Sequence, residues 1–202
     1  MLSVGITGNI GSGKSLVCKV FDVLGVPVFH ADLAGRQVLE QAEVIRRISK
    51  EFGAGVLDPD GRIHRPALAA RVFSDPVSLG FLNDLVHPAV EALWKDFSII
   101  HADKPYVLHE AAILMESGFY RLMDEVILVK APPEVRKARV MQRDSWGEEE
   151  FERRASLQWS EAELARYASF SINNSGNEAV LPQVLDIHHM LVSLAGSVGG
   201  VS

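Results

Sequence analysis

The residues with the clearest chemical purpose lie close to the amino terminus. Residues 8–15 read GNIGSGKS and match the pattern G-x-x-x-x-G-K-[ST] at every fixed position. Glycines there let consecutive backbone N–H groups turn toward a phosphate chain, and the start of the following helix adds positive potential. In such a loop Lys14 reaches the β- and γ-phosphates, and the Ser15 hydroxyl ligates Mg²⁺. The spacing therefore predicts binding of a nucleoside triphosphate.

Asp32 is a second candidate for chemistry. It follows an apolar run, residues 26–29, that is typical of a buried strand. Ligands of parallel α/β sheets collect at the carboxyl ends of the strands, where a carboxylate can accept the proton of an attacking hydroxyl or help to hold Mg²⁺. The alternative is a structural one, in which Asp32 caps the helix predicted from residue 33.

Arginines are concentrated late in the chain, with six of them between residues 136 and 166. The planar guanidinium suits the spread charge of a transferring phosphoryl group when a mobile segment brings it in. Arg143 is predicted to be this lid arginine, with Arg139 one helical turn away on the same face. Arg136 and Arg153 are expected instead on a solvated helix face, paired with glutamates.

The hydrophobic pattern predicts an α/β scaffold for these residues. Residues 2–6 and 26–29 resemble buried strands, and a helix between them completes the strand–helix–strand unit of a parallel sheet. Further strands are predicted over residues 106–108, 126–129 and 170–172, and further helices over 33–52, 66–72, 76–86, 88–100, 133–143 and 181–194.

The order of these elements predicts one domain over residues 1–202, a P-loop NTPase fold with a five-stranded parallel sheet flanked by helices. The helices within about 35–103 exceed what one crossover needs, which indicates an inserted helical lobe. The arginine-rich stretch, about 134–166, is expected to be a lid. The Gly/Ser-rich end, residues 196–202, is expected to fray.

Composition excludes several classes of protein. A chain of 202 residues has room for one compact domain, and its formal net charge of −6 argues against coating nucleic acid or an anionic membrane. No stretch approaches the roughly 20 apolar residues of a membrane helix, and no basic leader precedes an apolar run, so a cytoplasmic location is expected. The only cysteine, Cys18, rules out an internal disulfide and is expected in the core.

Other motifs narrow the type of nucleotide-binding protein. The N-K-x-D motif that reads guanine is missing from the sequence, and the D-x-x-G of residues 58–61 is explained by a turn. The third predicted strand, residues 106–108, is followed by His109 and Glu110 rather than by the aspartate usual for larger motor or transport ATPases. A short chain with a helical insertion and late arginines is typical of small-molecule P-loop kinases.

Within that group the chain resembles the dephospho-coenzyme A kinase family over about residues 2–190. The motifs that carry the resemblance are VGITGNIGSGKS, HADLAGRQV, FGAGVLDPDGRIHRPALAARVFSDP, LVHP, HEAAILMESG, RVMQR, RASLQ and INNSG, in the family's order and spacing. The first aspartate of the family's D-A-D is His30 here, and its Ala-Asp before the last strand is Ala168-Ser169.

The resemblance implies an enzyme that uses ATP and Mg²⁺ to phosphorylate the ribose 3′-hydroxyl of dephospho-coenzyme A. It implies that Asp32 is the catalytic base, assisted by Lys14 and Arg143, and that Ser15, with Asp32 possible, binds the metal. The implied ATP-binding residues are Asn9, Ile10, Gly11, Ser12, Gly13, Lys14, Ser15, Leu16, Arg139 and Asn174. The implied acceptor-binding residues are Asp32, Arg65, His87 and Glu116.

Structural alternatives remain at this point. His87 could end a helix before Pro88, Glu116 could solvate a helix end, and Asn174 could belong to a turn. Two other functions also stay open, a P-loop kinase for another small acceptor such as a nucleoside monophosphate or a shikimate-like metabolite, and an ATP-dependent switch without catalysis.

Overall fold

The sheet is the scaffold of the site. The computed structural model describes residues 1–144 and 146–198, and this part of the chain contains five strands. They are β1 (Leu2–Thr7), β2 (Val28–His30), β3 (Tyr106–Glu110), β4 (Glu125–Lys130) and β5 (Phe170–Asn173). All pair in parallel, in the order β2-β3-β1-β4-β5. The predicted parallel α/β architecture is therefore confirmed.

Helices connect the strands and cover the sheet. They are α1 (Lys14–Val23), α2 (Ala31–Val38), α3 (Ala42–Phe52), α4 (Arg65–Phe73), α5 (Pro76–Ile100), α6 (Pro133–Asp144), α7 (Glu148–Ala155), α8 (Glu161–Ala165) and α9 (Val180–Val198). Apolar residues of α1 and α9 join those of the strands in one buried cluster, which includes Phe21, Tyr106, Ile127 and Leu191. Cys18 is 2% exposed and belongs to this core, as predicted.

Backbone contacts divide the chain into two compact units. The sheet unit contains residues 1–30 and the described residues from 97 onward, and the helical unit is Ala31–Asp96. The helical unit has its own buried residues, including Val44, Ile48 and Leu68. None of the described helices is long and apolar enough to cross a membrane.

The helix predicted over residues 33–52 is wrong, because the chain breaks into α2 and α3. The backbone of Gln41 is extended, with φ −72° and ψ 132°, and precedes α3 as its N-cap. In one continuous helix the buried Val38 and Val44 would point about 120° apart at 100° per residue. The break allows the apolar faces of both helices to be buried.

The boundary predicted at Pro88 is also wrong. α5 is one helix of 25 residues, and Pro88 lies inside it. A proline inside a helix loses a hydrogen bond and clashes with the preceding turn, at a cost of about 3 kcal/mol. Leu85, Val90 and Trp94 are buried on both sides of it, and burial of such side chains contributes roughly 1.5–3 kcal/mol each. Packing along the whole helix therefore outweighs the local break.

The C-terminal ends of two elements, β3 and α9, differ from the prediction. β3 extends past residue 108 to Glu110, which places His109 and Glu110 within the sheet. The tail expected to fray from residue 196 is helical in α9 through residue 198, and residues 199–202 lie outside the described chain.

Candidate active site

The loop between β1 and α1 is curled as a phosphate cradle. Gly11 and Gly13 have φ angles of 81° and 93°, in the left-handed region that favours glycine. A Cβ on Gly11 would lie 2.5 Å from the carbonyl oxygen of Arg136, and one on Gly13 would collide with the side-chain amide of Asn174. These glycines are needed both for the turn and for the close approach of other segments. We call residues 8–15 the P-loop.

Internal hydrogen bonds hold the P-loop in this shape. The backbone N–H of Ser12 donates to the carbonyl of Asn9 at 3.0 Å, and Lys14 Nζ donates to the carbonyl of Gly8 at 2.6 Å. Asn174, which directly follows β5, donates from Nδ2 to the Ser12 carbonyl at 2.8 Å. The Ser12 hydroxyl is buried without a hydrogen-bond partner among the described residues. Ser15 is exposed in the first turn of α1.

Two arginines of α6 reach the P-loop. Arg139 Nη2 lies 3.5 Å from Asn174 Oδ1, and its Nη1 is buried with no hydrogen-bond partner in the described structure. Arg136 Nη1 lies 3.4 Å from the Ile10 carbonyl, and its Nε is likewise buried without a partner there. The expectation that Arg136 lies on a solvated helix face is therefore wrong. Its spacing of three residues from Arg139 was the available signal, because such residues share a helix face.

The other arginines of this stretch point to solvent. Arg143 donates from Nε and Nη2 to the carboxylate of the adjacent Asp144 at 2.8 and 2.6 Å, and this hydrogen bond raises the pKa of its guanidinium. Arg153 forms a two-pronged pair with Glu150 at 2.8 Å on the exposed face of α7, as expected.

Between α7 and α8, residues 158 and 159 contact the P-loop. Gln158 Oε1 accepts from the Ile10 N–H at 2.7 Å, and the Trp159 carbonyl accepts from Asn9 Nδ2 at 2.8 Å. We call this pair the strap. The sequence contained Gln158 within the motif RASLQ, but nothing in its spacing indicated which segment it would contact.

The loop after β3 holds the other side of the strap. Glu116 Oε1 accepts from the Trp159 N–H at 2.7 Å, and Glu116 Oε2 is buried without a hydrogen-bond partner among the described residues. Glu116 therefore does not solvate a helix end, which was one alternative. A cleft of about 860 Å³ borders this region, lined among others by Asn9, Arg136 and Trp159.

The carboxyl ends of β2 and β3 carry a polar pair. His30 and Glu110 are register partners, and His30 Nδ1 lies 2.7 Å from Glu110 Oε2. His109, one residue earlier, is fully buried between the rings of Phe29 and Phe119, with centroid distances of 5.2 Å. Burial lowers the pKa of the His109 imidazole to about 4.

The remaining candidates belong to the helical unit. Asp32 lies in the first turn of α2, which begins at Ala31, so its position is inside the helix rather than at an N-cap. Arg65 opens α4, and its Nη2 lies 3.3 Å from Glu40 Oε1. His87 lies within α5 and is half-buried; desolvation lowers the pKa of its imidazole, opposed by the nearby Asp84.

Among the described residues, no group of three or more His, Cys, Asp or Glu side chains could hold a metal ion. The Ser15 hydroxyl, exposed in the first turn of α1, is one oxygen donor next to Lys14. Mg²⁺ that is bound with phosphates needs only one or two such protein ligands, because it keeps several waters.

Known proteins are similar to this chain over nearly its whole length. The family model for dephospho-CoA kinase matches residues 2–179. The dephospho-CoA kinase of Escherichia coli K12 is 36% identical over 194 residues, which cover 95% of this chain and 94% of that protein.

Solved structures agree with the sequence relatives. A Thermus thermophilus protein of known crystal structure is similar at a TM-score of 0.85 and 34% identity, over 94% of this chain and 96% of that chain. Dephospho-CoA kinase from Campylobacter jejuni shares the fold at a TM-score of 0.70 and 24% identity, over 95% and 97% of the two chains. With a complete P-loop and relatives that match it over nearly its whole length, this chain belongs to the dephospho-CoA kinase family.

Proposed function

We propose that this protein transfers the γ-phosphoryl group of ATP to the ribose 3′-hydroxyl of dephospho-coenzyme A, giving coenzyme A and ADP. The observation that carries the proposal is the P-loop, complete in sequence and curled by hydrogen bonds, in a chain whose family match spans residues 2–179. ATP and dephospho-coenzyme A are its small-molecule partners.

The ATP phosphates bind at the P-loop. The backbone N–H groups of Gly11, Gly13, Lys14 and Ser15 donate to the phosphates, whereas the Ser12 N–H keeps its bond to the Asn9 carbonyl. Lys14 exchanges its contact with the Gly8 carbonyl for phosphate oxygens. Arg139 and Asn174 bind the nucleotide beside them, and Asn9, Ile10 and Leu16 complete the list of ATP-binding residues. The buried Nη1 of Arg139 and hydroxyl of Ser12 supply donors that a polyphosphate can satisfy.

Ser15, with Asp32 as a possible second ligand, would hold Mg²⁺ together with the phosphates. When bound, Mg²⁺ neutralises charge on the phosphate oxygens.

Asp32 accepts the proton of the ribose hydroxyl. It follows β2 by two residues along the chain and lies exposed in the first turn of α2. Ligands of parallel α/β sheets collect beyond the carboxyl ends of the strands, which favours this role. The helical lobe, about 35–103, binds dephospho-coenzyme A through Arg65 and His87. Glu116 is the remaining proposed acceptor-binding residue.

Residues 134–166, of which Ser145 lies outside the described chain, form the lid that delivers Arg143. In the structure Arg143 is paired with Asp144 through Nε and Nη2, and its remaining N–H groups can meet a phosphoryl oxygen. Closure of the lid excludes water from the site. This prevents transfer of the phosphoryl group to water, which would hydrolyse ATP.

The test is ADP release from ATP and Mg²⁺, with and without dephospho-coenzyme A, with the product identified by mass. Acceptor-dependent release of ADP together with 3′-phosphorylated product supports the proposal. ATP binding without acceptor-dependent turnover contradicts it and favours another hydroxyl acceptor or an ATP-dependent switch.

A further inference from the structure

The strap joins two segments that are distant from it in sequence, the P-loop and the loop after β3. Gln158 uses both ends of its amide: Oε1 accepts from the Ile10 N–H at 2.7 Å, and Nε2 donates to the Ala112 carbonyl at 2.8 Å. One neutral side chain thus bridges the P-loop and the loop after β3. A side-chain amide supplies an acceptor on its oxygen and a donor on its nitrogen.

Trp159, the neighbouring residue, connects the same two loops through its backbone. The Trp159 carbonyl accepts from Asn9 Nδ2 at 2.8 Å, and the Trp159 N–H donates to Glu116 Oε1 at 2.7 Å. The P-loop and the loop after β3 are each held by two hydrogen bonds from the strap. Four hydrogen bonds thus hold the strap, which lies near one end of the proposed lid, to these two loops.

These bonds act on the tip of the P-loop. The Ile10 N–H points to Gln158, so it is not among the N–H groups that face a phosphate. A loop of this type binds phosphate through the direction of its N–H groups, and these directions depend on the residues that anchor its ends. Asn174 anchors the carbonyl of Ser12, and Gln158 anchors the N–H of Ile10.

We infer that Gln158 is a positioning residue, which holds the P-loop in its phosphate-binding shape by tying Ile10 to Ala112. It acts through the P-loop and touches no reacting atom. Its effect on turnover rests on the proposed function, whereas its effect on ATP binding does not.

The test replaces Gln158 by methionine, which keeps the length and approximate volume of the side chain and removes both hydrogen bonds. We expect Gln158→Met to raise the ATP dissociation constant about tenfold in calorimetric titration without acceptor, because the loop loses an anchor at its tip. In the steady state the KM for ATP rises similarly, while the KM for dephospho-coenzyme A stays within about twofold.

Ser160→Ala is the matched control. Ser160, one residue after the strap, caps α8 through Glu163 and makes no hydrogen bond with the P-loop in the described structure. Its loss lowers local helix stability but should leave ATP affinity unchanged. Thermal unfolding of both variants shows whether each remains folded at the assay temperature.

Two results would overturn the inference. One is an unchanged ATP dissociation constant in folded Gln158→Met; the other is an equal loss of ATP affinity in Ser160→Ala. If the wild-type chain binds ATP but does not phosphorylate dephospho-coenzyme A, the proposed function fails, and the titrations still decide the role of Gln158.

Discussion

In the proposed function, different residues bind the phosphates and accept the proton of the acceptor hydroxyl. Lys14 and the glycines of the P-loop are proposed to bind the phosphates, and Asp32 is proposed to accept the proton. Mutation of each should therefore affect a different kinetic quantity.

For Asp32→Asn we expect turnover to fall by at least about a hundredfold, because an amide cannot accept the ribose proton. The ATP dissociation constant should change no more than a few-fold. Measuring both, with Asp60→Asn in an exposed turn as the control, distinguishes catalysis from binding. Near-normal turnover in Asp32→Asn would remove Asp32 from the mechanism.

Arg136 offers a comparison with an arginine of the same charge. Arg136→Met should raise the ATP dissociation constant roughly three- to tenfold, because it removes a cation and a donor beside the Ile10 carbonyl. Arg153→Met removes the same charge from the exposed pair with Glu150 and should leave ATP binding near wild type. Equal effects in the two variants would mean that only net charge matters.

Sequence reasoning predicts local motifs but not contacts between residues that are distant in the chain. The P-loop was predictable because its chemistry lies in eight consecutive residues. The contacts of Arg136 and Gln158 with Ile10 join residues 126 and 148 positions apart, and a local pattern cannot report which distant segments meet.

At the scale of elements, sequence predicted every strand and the parallel sheet, because short apolar runs bounded by turns are a strong local signal. The prediction failed at two helix boundaries, because the local pattern does not decide where these helices end. The break at Gln41 and the continuation through Pro88 are both decided by which side chains become buried, and burial depends on the rest of the molecule.

Pro88→Ala tests this account of α5. Alanine restores the missing N–H and removes the ring clash, so the free energy of unfolding should increase by about 1–3 kcal/mol in urea denaturation. Pro76→Ala is the control, since proline is favourable at the first position of a helix and its loss should give no gain. Destabilisation by Pro88→Ala would show that the packing requires the proline.

At the scale of the whole molecule, folding stability should depend on pH through His109. Its pKa is about 4 in the folded chain and about 6.5 when unfolded, so between these values the unfolded chain binds a proton that the folded chain does not. Above pH 6.5 the free energy of unfolding is not reduced by His109. It falls by up to about 3 kcal/mol as the pH decreases to 4, because the unfolded chain gains the proton.

Urea denaturation at several pH values measures this loss. His109→Leu should flatten the decline between pH 6.5 and 4, while the exposed His64→Gln should retain it. An equally steep decline in His109→Leu would assign the acid sensitivity to other groups.

Because Cys18 is buried, the rate at which its thiol is chemically modified can report local opening of the protein. This single thiol lies one helical turn after Lys14, and burial raises its pKa, so the folded chain holds it protonated and out of reach of alkylating reagents. Its modification rate therefore reports how often α1 opens. Because ATP binds only when the P-loop is folded, ATP should slow this modification in proportion to its occupancy. Mass spectrometry of the unmutated protein can then follow nucleotide binding at the base of the P-loop; an identical rate with saturating ATP would show that the thiol becomes accessible without opening of that loop.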